Sequence, residues 1–396
     1  MLIPAGATNF INLSRWAAAL AVLIAHTRGM MFAVYPPGGQ AGLLQQGFYF
    51  VTGLGHEAVI VFFVVSGFLV GGLTLQRTLE TGFAPATYFA HRISRIYTVY
   101  LPALGVGALL DWLGSRYFNA AELYTNSAKY HRVSIESIAV HNLNAPTLLG
   151  NLLMWQGSDA PGWGRIQPFG SNVPLWTLSM EWWYYCLFAL ALLAFGRRSR
   201  LATALCVLAI VLIGLALSKT ILLWMVIWLL GVGCWAWWRY GRWRINPVLA
   251  LALFIAALTA SKLAEHLVKD TGVAVIFARD TLVGVGYSAL LIAMLKGEER
   301  PWLGRLNARL ADYSYSLYLV HFPVLLFIVA AANTAVGAPF MLPFGPRPFG
   351  YAAILLVLVL AFVFVFHGLT EAHTGAVRRW LESLGRRHPT PAPKAP

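Results

Sequence analysis

Two residues set a chemical scale for this chain. Arg15 and His26 stand eleven positions apart in a stretch that is otherwise almost wholly apolar. Eleven residues are close to three helical turns, so on one helix both side chains leave from roughly the same face, about 16 Å apart along the axis. A helix with a cation near one end and an imidazole near the other can serve two aqueous compartments. Glu181 follows Trp176-Thr177-Leu178-Ser179-Met180 in a second apolar segment. The helical rise puts it about 10 Å below that segment's outer end, a depth that His26 reaches from the other direction. A carboxylate beside an imidazole fixes its tautomer and raises its basicity, as general-base chemistry requires. Arg279 and Asp280 fall at a similar level, where they make either a structural ion pair or part of the same site.

The run His91-Arg92-Ile93-Ser94-Arg95 carries a different chemistry. Arginines at i and i+3 share a helix face, and guanidinium forks match phosphate oxygens bidentately. Arg92 and Arg95 thus suit a phosphorylated ligand, while the plainer role of such a pair is to anchor a helix end at a membrane surface. A lone histidine such as His26 also serves commonly as a helix–helix hydrogen-bond donor. Ser66-Gly67 with Gly71 has the spacing of small residues that let helices approach closely, and it lacks the surroundings of a nucleophilic serine. Tyr315 and His321 lie in a polar run near mid-membrane that suits a cavity lining, and His56-Glu57 adds polarity to a third segment. No phosphate-binding glycine loop, dinucleotide fingerprint or metal-ligand spacing occurs. Cys186, Cys206 and Cys234 are spaced neither for disulfides nor for a metal and read as packing residues.

The elements that must position these residues are membrane helices. Of 396 residues, 59% are hydrophobic and 11% charged, against about 25% charged in a soluble domain. Fifty-four aromatic residues argue equally against disorder. A membrane crossing needs about 20 apolar residues, and ten segments qualify: 9–30, 53–75, 96–114, 174–195, 201–218, 220–239, 247–263, 273–295, 310–331 and 350–370. The expectation is an all-α polytopic membrane domain over 1–371. A long extracytoplasmic loop at 115–173 and a basic, Pro-rich cytoplasmic tail at 372–396 complete it. Lys and Arg count 18 on one set of loops and tail and 9 on the other, which orients both termini to the cytoplasm. That bias accounts for most of the formal charge of +14, so no nucleic-acid partner is expected. The first apolar segment has no basic residue before it and is expected to stay as a helix, not to be cleaved as a leader.

Five blocks in order resemble the integral-membrane acyltransferase family 3. They are Leu13-Ser14-Arg15-Trp16 continuing through Ala25-His26; Val61-Phe62-Phe63-Val64-Val65-Ser66-Gly67-Phe68-Leu69; Arg92-Ile93-Ser94-Arg95-Ile96-Tyr97; Leu175-Trp176-Thr177-Leu178-Ser179-Met180-Glu181; and Ser314-Tyr315-Ser316-Leu317-Tyr318-Leu319-Val320-His321. The resemblance implies a bacterial cytoplasmic-membrane O-acyltransferase. It would move an acyl group, most often acetyl, from cytoplasmic acyl-CoA to hydroxyls of envelope or exported glycans. It implies His26 as the essential histidine, Arg15 as its motif partner, Glu181 as the intramembrane acid, and Arg92 and Arg95 near the acyl-CoA. Asn12 and Ile60 stand where relatives often carry Asp, with His56-Glu57 close to the second of these. Some relatives add an SGNH hydrolase-like domain; this chain is expected to act without one, alone or with separate glycan-assembly partners.

On this reading His26 is a general base or an acyl carrier, the acceptor is a glycan or glycolipid, and no metal takes part. The polar loop 115–173 is the candidate for acceptor contact by composition. Two rivals remain. Ten helices with intramembrane His, Arg, Glu and Asp also suit a proton-coupled transporter, and a polysaccharide-assembly scaffold without catalysis is the other. The transporter reading expects internal inverted symmetry, which the sequence does not display, and the scaffold would have no use for His26, Arg92, Arg95 and Glu181 together.

Overall fold

The computed structural model describes residues 3–35, 41–125, 139–160, 164–196, 199–268, 272–297 and 303–385. Parts of the long loop (126–138 and 161–163) and of the Pro-rich tail (386–396) lie outside the described residues. Helices dominate. The first span is α1 (Ala5–Met31). The second is a continuous series of α2 (Leu43–Thr52), α3 (Gly55–Ser66), a π-helical turn (Gly67–Gly72) and α4 (Leu73–Thr81). Then come α5 (Pro85–Tyr117), the short loop helix α6 (Ala145–Leu152), α7 (Trp176–Phe195), α8 (Arg200–Ala216) and α9 (Lys219–Tyr240). The series ends with α10 (Pro247–Leu267), α11 (Val273–Leu295), α12 (Gly304–Val336), α13 (Pro346–Leu369) and α14 (Thr374–Gly385). A two-residue antiparallel pairing of Asp159–Ala160 with Gly164–Arg165 is the small exception.

Among the described residues, nine helical segments are long and apolar enough to cross a bilayer. The tenth expected span, 201–218, is α8, a helix of 17 residues. At 1.5 Å per residue it reaches about 26 Å, slightly less than the hydrocarbon core. None of its residues is buried, and its Leu201, Leu205, Leu208 and Leu212 are exposed, as on a lipid-facing helix. Ile255 on α10 and Val357 and Phe364 on α13 are exposed apolar residues of the same kind. The starts of α1 and α12 meet through Asn9 and Asn307, whose side chains bond at 2.8 Å. We call this the terminal side of the bundle.

Three local features set the site. First, α3 and its π turn press against α9 where neither backbone carries a side chain. A Cβ at Gly67 would run into the Trp228 carbonyl, and one at Gly231 into the Val64 carbonyl. The small-residue spacing around Ser66 is therefore a packing device, and it brings Ser66 beside Trp228 and Glu181. Second, Pro323 interrupts α12. It has no N–H to give the carbonyl four residues earlier, and Asn172 supplies the donor instead, bonding Leu319 O at 2.7 Å. The end of the long loop is thereby pinned into the bundle two residues before His321. Third, α14 folds back on α5, where His91 Nε2 meets Glu382 at 3.0 Å.

A candidate active site of two cavities

The residues singled out in the sequence fall around two cavities. The larger, about 470 Å³, lies toward the terminal side and is lined by Arg15, Ser66, Arg92, Arg95, Glu181 and Tyr315, among others. The smaller, about 290 Å³, lies at the opposite end of α1 and is lined by His26, Arg28 and His56. Val59 and Tyr318 line both cavities and so form their common wall. The Tyr318 hydroxyl is fixed there between Thr177 Oγ1 at 2.8 Å and the Pro174 carbonyl at 3.1 Å. Arg15 and His26, one helix and eleven residues apart, thus reach different cavities, as the periodicity of α1 predicts.

In the larger cavity the cations are held by aromatic faces and one buried acid. Arg95 donates to Glu371 at 2.7 Å and lies 4.9 Å from the Tyr315 ring centroid. Arg92 sits over Tyr88 and Tyr185 at 5.7 and 5.6 Å, a contact favourable for a guanidinium. Glu371 also accepts the Ser316 amide at 3.0 Å and its hydroxyl at 2.7 Å. Arg15 donates to Ser314 at 3.3 Å. From α14, Thr374, Gly375 and Arg378 close the rim, adding a third arginine to the pair that the sequence offered. With Arg15, four guanidinium groups line this cavity, a donor set for phosphate oxygens.

The carboxylate–imidazole pair expected between Glu181 and His26 is not formed. Glu181 Oε1 instead accepts the Ser66 hydroxyl at 2.7 Å and the Tyr185 hydroxyl, while Ser66 accepts Trp228 Nε1 at 3.2 Å. The helical rise fixes height in the membrane but not direction around the axis, and the wall of Val59 and Tyr318 separates the two groups. Arg279 and Asp280 do not pair with each other either. Neighbours on one helix point about 100° apart, so Arg279 reaches Glu265 at 2.9 Å and Asp280 turns to α3. There both Asp280 oxygens approach His56 Nε2, at 2.8 and 2.9 Å, and Oδ2 also accepts Trp224 Nε1 at 2.7 Å. The carboxylate–imidazole unit among the described candidates is therefore His56–Asp280. Glu57, only 1% exposed, instead meets Lys262 at 3.1 Å in a group that includes Glu265.

His26 packs against rings. Its centroid lies 5.2 Å from that of His321 and 5.0 Å from that of Phe322. His321 Nδ1 faces the Tyr318 and Leu317 carbonyls at 2.8 and 3.1 Å. Carbonyls only accept, so Nδ1 carries the proton and Nε2 holds a lone pair. That Nε2 is buried without a hydrogen-bond partner among the described residues.

Several of these residues gave no distinct sequence signal. Glu371 ends a hydrophobic helix and Arg378 sits in a basic tail, and only the return of α14 makes them part of a site. Tyr185 had one available signal, its position four residues after Glu181 on the same helix face. Two of the described loop residues expected to greet an acceptor, Asn151 and Gln156, are spent internally. Asn151 bonds Thr147, Gln167 and Phe169, and Gln156 bonds Tyr100 and Leu175.

Comparison with known proteins agrees with this arrangement of blocks. The chain is 25% identical over 413 aligned positions to the acyltransferase MdmB of Streptomyces mycarofaciens, covering 95% of this chain and 92% of that protein. It is 23% identical over 163 positions to an uncharacterized protein of Haemophilus influenzae, covering 40% of this chain and 58% of the other. No solved structure matches. The family model described as an acyltransferase domain matches residues 8–368, from the start of α1 to the end of α13, and the chain belongs to that acyltransferase 3 family of multi-pass membrane proteins.

Proposed function

We propose that this protein is an O-acyltransferase of the bacterial cytoplasmic membrane. It takes an acyl group, by preference acetyl, from acyl-CoA on the cytoplasmic side and delivers it to a hydroxyl of an envelope or exported glycan. The observation that carries this reading is a pair of adjoining cavities, arginines lining one and His26 the other, with Tyr318 and Val59 as their common wall. The lysine and arginine bias of the loops supports a cytoplasmic terminal side. Acyl-CoA phosphates would then meet Arg92, Arg95 and Arg378, and the pantetheine arm would run past Ser66 and Glu181 toward His26.

In this scheme His26 either removes the acceptor's proton or takes the acyl group itself. A positioned base contributes about 10²–10⁴-fold to such a transfer, and an acyl-imidazole would let donor and acceptor bind in turn from opposite sides. Transport of protons would also use intramembrane histidines, but four arginines lining one cavity fit a polyanionic donor better than a proton path.

The test uses sealed inverted vesicles supplied with acetyl-CoA labelled in the acetyl group. Label on envelope glycan is compared between the unaltered chain and His26→Ala at matched expression. The proposal expects label that depends on His26. Equal label from both would remove His26 from the reaction, and solute flux without covalent label would favour the transporter.

A further inference from the structure

We infer that His56, held by Asp280, is the base that activates the acceptor hydroxyl in the outer cavity. The inference rests on the acyltransferase reading above and adds to it a second histidine with its own task. His56 is the second residue of α3 and lines the same cavity as His26. Its side chain is 39% exposed, whereas Asp280 is 1% exposed. Asp280 is an acceptor with two donors on it, Trp224 Nε1 and His56 Nε2. In the neutral ring the proton of His56 therefore sits on Nε2 and the lone pair is left on Nδ1, which makes no hydrogen bond to a described residue. A buried carboxylate fixing one nitrogen while the other stays free is the geometry of an oriented base.

A close approach of α1 and α3 seats the two histidines on one cavity. A Cβ on Gly55 would lie 2.7 Å from the Ala25 Cβ and 3.7 Å from the Val22 Cα. Only glycine permits that approach, and it seats the residue before His56 against the residue before His26. The cavity also holds Arg28, a cation suited to a carbonyl oxygen that gains charge. His321 cannot share this task, since its Nε2 is fully buried.

The step balances as follows. The acceptor oxygen forms a bond to the acyl carbon while the bond from that carbon to its carrier breaks. The carrier is the CoA sulfur or a His26 nitrogen, and it keeps the electron pair. The hydroxyl proton passes to His56 Nδ1, Asp280 stabilises the resulting imidazolium, and the proton then returns to the departing carrier or to water. The sum is thioester plus alcohol giving ester plus thiol.

The experiment follows thiol release and label on glycan in the same inverted vesicles, with labelled acetyl-CoA, in the presence and absence of hydroxylamine. Hydroxylamine is largely unprotonated at neutral pH and attacks an activated acyl group without a base. The variants are His56→Gln and Asp280→Asn. The asparagine keeps the shape but turns an N–H toward His56 Nε2, which forces the proton onto Nδ1 and removes the lone pair. Both variants are expected to lose glycan label by about 10²-fold or more while hydroxylamine-dependent thiol release stays near the unaltered rate. That retained release also shows that the variants are folded. Equal loss in both assays would make His56–Asp280 a structural tie between α3 and α11, and no loss in either would remove it from the reaction; each result overturns the inference. If the unaltered chain puts no label on glycan and releases no thiol from acetyl-CoA, with or without hydroxylamine, the acyltransferase reading itself fails, and the role of His56 falls with it.

Discussion

The imidazoles of His26 and His321 lie with their centroids 5.2 Å apart, and the second of them is held in one tautomer by the backbone of its own helix. The Nε2 acceptor that this leaves buried, with no partner among the described residues, costs about 1–3 kcal/mol relative to a satisfied or absent polar atom. A ring that served packing alone would be better as phenylalanine.

This contrast gives the first prediction. His321→Phe keeps an aromatic ring against His26 and removes the unpartnered nitrogen, so the protein is expected to unfold at an equal or higher temperature in detergent. If the lone pair steadies the proton of His26 during transfer, kcat falls about tenfold, or 1.4 kcal/mol of barrier, with the KM for acetyl-CoA unchanged. Thermal unfolding and steady-state thiol release, measured on one preparation, check both halves. An unchanged kcat would reduce His321 to packing.

The return of α14 to the rim of the larger cavity carries the second prediction. Arg378 lines that cavity, while Arg379, exposed and one position on, does not. Arg378→Glu is expected to raise the KM for acetyl-CoA about tenfold at low ionic strength. The effect should shrink as salt shortens the Debye length below about 10 Å. Arg379→Glu should leave KM close to its unaltered value. Equal effects of the two reversals would mean that α14 contributes only overall charge.

How far the sequence reached follows from what periodicity can encode. Apolar runs locate membrane helices because a bilayer demands length and hydrophobicity of each helix by itself, and the segments around Arg15, Glu181 and His321 are where they were expected. The spacing of Arg15 and His26 gave their separation along α1, which is a property of one helix. Partnerships between helices depend on rotation about each axis, and that is set by contacts distant in sequence, such as Gly67 against Trp228. The sequence therefore places Glu181 along its helix but not its partners, Ser66 and Tyr185. Asp280 stands out as an intramembrane acid, whereas its tie to His56, 224 positions away, exists only in the packed bundle. Glu371 and Arg378 were invisible as site residues because nothing in a basic tail announces that it folds back.

The contact at Gly67 supplies a third prediction. A Cβ there would overlap the Trp228 carbonyl, which is backbone and cannot swing aside. Gly67→Val must separate α3 from α9 and disturb the bonds from Trp228 to Ser66 and from Ser66 to Glu181. Overpacking of this kind costs about 1–3 kcal/mol or more. The expected outcome is a lower unfolding temperature together with loss of transfer. Gly105, which has open space around its Cβ position, is the control, and Gly105→Ala should be stable and active.

Pro323 and Asn172 make a pair that can be tested by exchange. Proline at 323 leaves the Leu319 carbonyl without its helical donor, and the Asn172 amide at 2.7 Å takes that place. Asn172→Ala should leave a buried carbonyl unpaired and cost about 1–3 kcal/mol. The same substitution made together with Pro323→Ala should cost much less, since an alanine in place of the proline supplies an N–H to Leu319 and the helix closes over the gap. The difference between the two costs is the coupling energy of the pair, read from unfolding of the four proteins in one detergent. Activity should not follow stability in this set. The double variant regains the helical bond but releases the loop end that carries Pro174, whose carbonyl accepts the Tyr318 hydroxyl. With that tie loosened, the wall between the cavities is no longer held, and transfer is expected to stay impaired in the double variant even where its unfolding temperature has recovered. Recovery of both together would mean that the loop serves the fold alone.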